Sequence, residues 1–156
     1  GWRENGMQKD VIIFLGSIQK DGTADGGRIE VITAGSYYYK NGKHYIIYEE
    51  LPEDGGPVIK NVIKIHEGMT EIIKSGDAGA RMVFEENKRH VSYYETAFGK
   101  ILVGIRTSQI LVEEEEDRLQ VHLEYRLEME SAHVTDCVVD IRIESKETCK
   151  IDLTGR

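Results

Sequence analysis

The chain has 156 residues, 31% of them charged and 40% hydrophobic, and a net charge of −8. That length suits one domain, and a domain of this size buries roughly 70% of the surface of its unfolded chain, so it needs no disulfide or metal staples. The negative charge repels a phosphate backbone; the nearest thing to a basic cluster, Lys88 and Arg89 with Arg81, is surrounded by glutamates, which argues against nucleic acid as a partner.

The two cysteines, Cys137 and Cys149, form neither a CxxC nor a metal-ligand pattern. Cys137 sits in an apolar strand and reads as a small buried residue. A reducing cytoplasm fits this usage better than an oxidising compartment. Residues 1–6 are polar apart from Trp2 and carry no secretory signal. Met7 reads as a native start, leaving 1–6 as a short extension outside a single domain at 7–145, with a polar tail at 146–156. The longest apolar run, residues 11–15, is too short to span a bilayer. A soluble, cytoplasmic protein is expected.

Residues 10–20 (DVIIFLGSIQK) are apolar and β-branched, the pattern of a buried or barrel strand, with Gly16 permitting a bend. Residues 21–27 (DGTADGG) are turn formers. Their resemblance to a calcium loop fails because position 12 would be Ile32, not an acid. A strand follows over 28–34, then an extended run with Tyr37, Tyr38 and Tyr39. Asn41-Gly42 is the strongest hairpin signal in the chain, and it sets these tyrosines across from Tyr45 and Tyr48 on the return strand. Such a cluster is core and cross-strand packing, or lines a pocket mouth.

Residues 58–66 and 69–75 alternate around a Glu67-Gly68 turn. Residues 100–112 form a long β-branched strand with a bend or bulge at Gly104. The five acids at 113–117 read as a solvated loop that discourages aggregation. Residues 119–129 alternate most cleanly: Leu119, Val121, Leu123, Tyr125, Leu127 and Met129 on one face, charged and polar residues on the other. After a turn at Ser131-Ala132, residues 134–144 return, with Cys137, Val139, Ile141 and Ile143 sharing a face. No persuasive helix appears. Nine or ten strands joined by short turns indicate an all-β antiparallel meander, closed into a barrel so that no edges are exposed; a two-sheet sandwich is the alternative.

The densest collection of reactive groups lies in residues 81–99, RMVFEENKRHVSYYETAFG, which read as two strands around a tight turn. Two registers compete. With Glu86-Asn87 as a two-residue loop, Arg81 and Val83 share a face with His90, Ser92 and Tyr94. With Asn87 as the left-handed residue of a three-residue loop, His90, Ser92 and Tyr94 join Met82 and Phe84 instead.

Three stretches, QKDVIIFLGSIQ, GSYYYKNGKHYIIYEE and RMVFEENKRHVSYYETAFGKILVGI, together resemble the YwiB-like family of small bacterial proteins. The resemblance runs from Met7 to Glu144. Members of that family usually carry Pro at the position of Ala97 and often Gly at that of Asn87; both differences lie in turns. The resemblance implies a calycin-type, lipocalin-like β-barrel of about 8–10 strands and no assigned activity.

A barrel of this size holds side chains alone or one small ligand. Arg81, His90, Ser92 and Tyr94 are the candidate ligand-binding residues, a polar patch at the cavity end: the guanidinium pairs with a carboxylate or phosphate, and the hydroxyls orient it. The structural alternative is a hydrogen-bonded network holding the barrel end, or a solvated outer face. His44, His66, His122 and His133 lie on polar strand faces or at strand ends without ligand spacing, so no metal site is expected. No catalytic residue is nominated. There is no nucleophile elbow, Cys-His pairing or phosphate loop, and His90 and Ser92 are about 7 Å apart along a strand, a loose spacing for a nucleophile–base bond. The expectation is a barrel binding a small, partly apolar or anionic molecule with no cofactor; the alternative is a structural or protein-interaction module, a homodimer or one that docks a partner, without an internal ligand.

Overall fold

The computed structural model describes residues 1–4, 7–20, 27–76, 79–96, 99–129 and 134–149. The calcium-like loop at 21–26, the Ser131-Ala132 turn, His133, Ala97 and the tail from 150 lie outside these residues. Ten strands follow one another: β1 (Lys9–Lys20), β2 (Ile29–Lys40), β3 (Lys43–Glu50), β4 (Ile59–His66), β5 (Met69–Ser75), β6 (Ala80–Glu85), β7 (Arg89–Thr96), β8 (Gly99–Glu114), β9 (Arg118–Met129) and β10 (Val134–Ser145). No helix occurs among the described residues, and none is long and apolar enough to cross a membrane.

All ten strands belong to one antiparallel sheet in the order β6-β5-β4-β3-β2-β1-β10-β9-β8-β7. It is a meander in which β1 and β10 pair at the centre, from Val11 opposite Ser145 to Lys20 opposite Asp136. The sheet curls into a nearly closed barrel whose two free edges, β6 and β7, meet. Those edges are consecutive in sequence, yet they share no ladder. β6 pairs with β5 and β7 with β8.

The local signals act as their chemistry requires. Asn41 and Gly42 take φ of 53° and 76°, the left-handed pair a two-residue β2–β3 turn needs. Tyr38 and Tyr45 sit opposite each other and stack at 4.6 Å. On β9, Leu119, Val121, Leu123 and Tyr125 are buried, and on β10 so are Cys137, Val139, Ile141 and Ile143. The register break in β8 falls between Thr107 and Gln109, two turns of the alternation away from the expected Gly104. Gly104 stays in register, opposite Val91 and Glu128, and the Arg89 guanidinium lies over it: a Cβ there would sit 2.6 Å from Nη2.

Among the described residues the barrel core is close-packed. Val11, Ile13, Ile63, Phe84, Val103, Leu123 and Ile143 have no exposed surface, so no water-sized space adjoins them, open or enclosed. Residues 1–4, expected as an extension outside the domain, bring Trp2 into this core: it is buried, meets Tyr37 edge-on at 4.9 Å, and donates its indole N–H to the Glu115 carbonyl at 2.6 Å. The acidic run is also not all loop. β8 includes Glu113 and Glu114 before the chain turns.

Candidate functional site at the barrel mouth

The residues of the 81–99 segment meet at the seam. Its turn closes around Glu86 and Asn87: Asn87 takes φ of 62° and Lys88 N–H donates to the Glu85 carbonyl at 3.0 Å. With no β6–β7 ladder neither expected pairing forms, and only the division of faces follows the second alternative. Asn87 N–H and the Lys88 carbonyl bond across to Thr107 at 2.9 and 3.2 Å, docking the turn on the irregular point of β8. Tyr94 then packs on the core side with Met82 and Phe84, and Arg81 parts from it. The Arg81 side chain is exposed and donates to Glu71 Oε2 at 2.8 Å. His90 Nε2 lies 2.9 Å from Glu85 Oε1, and Lys88 with His90 holds the Glu85 carboxyl below its ordinary range. The Ser92 hydroxyl donates to the Arg81 carbonyl, stitching β7 to β6 where no ladder does so. Tyr94 is pushed up to about 12 by burial, then by Cys137 nearby. The four residues are thus brought to one region, each toward a different protein partner, and line neither of the two cavities below.

The end of the barrel that carries the β2–β3, β4–β5, β6–β7 and β8–β9 turns opens into a cavity of about 520 Å³. Its wall includes Arg3 from the N-terminal segment, Tyr39, His44, His66, Glu67, Glu86 and Glu114, with Ile65, Ile110 and Val112 as the apolar part. His44 stands at its base. Sequence placed this histidine on a polar face; by alternation with Ile46 and Tyr48 it points inward, and it is 4% exposed. Its Nδ1 lies 2.7 Å from the Tyr37 hydroxyl and its Nε2 lies 3.0 Å from Glu114 Oε1. The Tyr37 hydroxyl also bonds the Trp2 carbonyl. Arg3 Nε completes the chain with 2.9 Å to Glu114. Burial pushes the His44 pKa down and the Tyr37 pKa far up, with Glu114 opposing the first and adding to the second. His66 Nε2 is buried without a hydrogen bond, its nearest acid, Glu71, lying 3.9 Å away.

A second concavity, of about 430 Å³, runs over the outer face of β2, β1, β10, β9 and β8. Among the described residues no three His, Cys, Asp or Glu side chains gather as a metal site would require, and Cys137 and Cys149 are free thiols. Cys137 is buried beside Tyr125, and burial pushes its thiol pKa up, the reverse of what a nucleophilic thiolate needs.

Residues 12–141 match the family described as Domain of unknown function (DUF1934). The chain belongs to that family. The uncharacterised β-barrel protein YwiB of Bacillus subtilis is 27% identical over 120 residues, covering 74% of this chain and 83% of that protein. The crystal structure of the B. subtilis ywiB protein superposes with a TM-score of 0.77 at 22% sequence identity, covering 88% of this chain and 92% of the other. That likeness establishes the β-barrel fold for this DUF1934 member. Of the mouth residues, Tyr39 belongs to the tyrosine cluster that the sequence offered as lining a pocket mouth, whereas Arg3, His44 and Glu114 were not nominated; the even spacing of His44 from Ile46 and Tyr48 puts it on their face without saying that this face is the inner one.

Proposed function

We propose that this protein is a cytoplasmic, calycin-type barrel that binds a small, partly apolar, positively charged molecule at its mouth. The observation that carries the reading is the mouth cavity itself, which sets Glu67, Glu86 and Glu114 against the single cation Arg3 over an apolar wall. Its volume falls in the usual range for small-ligand sites, roughly 300–1,000 Å³. Arg3 is already paired with Glu114, so the remaining lining favours a cation over an anion. A ligand enclosed deeper in the barrel is not supported, because the interior side chains occupy that space. Two free cysteines agree with a reducing compartment.

The test is a thermal-shift and calorimetric comparison of putrescine, agmatine, benzylamine, succinate and glucose 6-phosphate. An amine at about 100 times its Kd adds about 2.7 kcal/mol of stability, which is a rise of several degrees in a domain of this size. Glu86→Gln weakens that amine several-fold while leaving the ligand-free Tm unchanged. A response confined to the anions, or none from any of the five, overturns the reading.

A further inference from the structure

Gly16 lies in the middle of β1, and nothing in the fold itself requires a glycine there. The register runs unbroken through it, with Glu30 opposite on β2 and Asp140 opposite on β10, so it marks no bulge. Its φ is outside the left-handed region, and a Cβ built on it meets nothing within 4 Å. A strand-interior glycine forfeits backbone entropy and side-chain packing. With conformation and crowding both excluded, what remains is that the missing side chain keeps a space open.

That space is the floor of the outer groove. Ile13 and Leu15 point into the barrel, and Phe14 and Gly16 point out. The Glu30 and Asp140 backbones flank the gap about 10 Å apart, two inter-strand spacings. One strand position along, the Phe14 ring lies under the Arg142 guanidinium at 4.1 Å, and that guanidinium is paired with Glu144 at 3.1 Å. The two ends of the groove carry Ile32 on β2, 54% exposed, and Leu111 on β8, 48% exposed. The lining carries the carboxylates Glu30, Glu113 and Asp140 together with Arg142 and His122, the latter 2.5 Å from Asp140. Arg28 stands 3.8 Å from Glu30. Both flanking acids are open to water, Glu30 at 72% and Asp140 at 65% side-chain exposure.

We infer that this groove docks an extended segment of a partner protein that inserts an arginine side chain over Gly16, between Glu30 and Asp140, with apolar neighbours on Ile32 and Leu111. Charge complementarity selects the cation, and the width of the gap suits a guanidinium flanked by two carboxylates. The openness of the groove selects a tethered side chain over a free small molecule. A small-molecule site encloses most of its ligand, whereas here the binding groups are mostly solvated, so contacts outside the slot supply the rest of the affinity. The inference is independent of the mouth, which lies at the end of the barrel.

The experiment uses the acetylated, amidated peptide Leu-Val-Arg-Val-Leu, its citrulline counterpart, and free arginine amide, titrated into the ¹⁵N-labelled protein. The arginine peptide shifts the amides of Gly16, Glu30 and Asp140, the citrulline peptide binds about tenfold more weakly, and arginine amide weaker still. Gly16→Val, which fills the slot in a conformation open to it, abolishes the shifts without lowering Tm, and Glu30→Gln weakens binding several-fold. Equal binding of the citrulline peptide, retention of binding by Gly16→Val, arginine amide matching the peptide, or no shift at millimolar peptide each overturns the inference.

Discussion

The Tyr37 hydroxyl lies 2.7 Å from Nδ1 of His44 and also touches the carbonyl of Trp2, and its one hydrogen serves only one of these acceptors at a time. With His44 neutral, as its burial favours, Nε2–H donates to Glu114 and Nδ1 accepts from Tyr37. When His44 is protonated, Nδ1–H donates to Tyr37, whose hydrogen is then free for the Trp2 carbonyl. Tyr37→Phe leaves Nδ1 of neutral His44 buried without a donor and costs about 1–3 kcal/mol, measured by urea denaturation at pH 7.5. A cost within a few tenths shows that the hydroxyl is not what holds the histidine.

His44 and His122 give stability opposite slopes with pH. The folded pKa of His44 is lowered, by burial foremost, so the unfolded chain binds its proton more tightly; stability is full above the unfolded value of about 6.5 and falls as pH drops through it. The folded pKa of His122 is raised, first by its hydrogen bond with Asp140. Its increment is fully present below about 6.5 and is lost as pH rises through the raised folded value. Because His122 is one-third exposed, that increment is about 1 kcal/mol or less. Asp140→Asn removes it, so the mutant loses stability below pH 6.5 and little above pH 8. Histidine-ring NMR titration locates both transitions, and a His44 ring that titrates above free histidine, or a His122 ring that titrates below it, contradicts this account.

Arg81 holds the nearly buried Glu71 at 2.8 Å on the outside of β6. Arg81→Ala therefore acts on the fold. It costs about 1 kcal/mol or somewhat more, beyond the usual surface pair, because Glu71 keeps its charge in a poorly solvated place. The coupling appears in a double-mutant cycle with Glu71→Gln, and affinity at the mouth is unchanged.

Among the described residues, Asn87 is one of two non-glycine residues with positive φ. Glycine adopts that conformation freely, and asparagine tolerates it better than other side chains. Asn87→Gly is expected within a few tenths of a kcal/mol of the parent in chemical denaturation, and Asn87→Val lower by about 1–2 kcal/mol. Equal stability of the valine variant removes the left-handed turn from the seam.

Strand identity was legible wherever alternation and turn chemistry agreed. On β9 the apolar residues fall on one face only, and Asn41-Gly42 permits one kind of turn. On β3, Tyr45 and Ile47 on one side balance Ile46 and Tyr48 on the other, so the period of two does not say which side takes His44 inward. Glu114 sits in a run of five acids, and what draws it into β8 and the mouth is Arg3 and His44, 111 and 70 residues away in the chain. The pairing expected between residues 81–85 and 89–96 was a sound local inference from a tight turn. Closure of the whole sheet gave each strand a different ladder partner, which no window of that length contains.

The position of the seam has a consequence for how the chain gathers itself. Apart from the β1–β10 ladder, every ladder joins strands adjacent in sequence, so each closes a short loop at small entropic cost. The β1–β10 ladder alone ties Val11 to Ser145 and closes nearly the whole length of the chain. Native-like order can spread outward from that one tie as two independent arms, β2 to β6 and β9 to β7. Its formation is the slow step of assembly expected for distant pairings, and the meeting of the arms at residues 86–88 needs no further search, because the turn has joined them from the start.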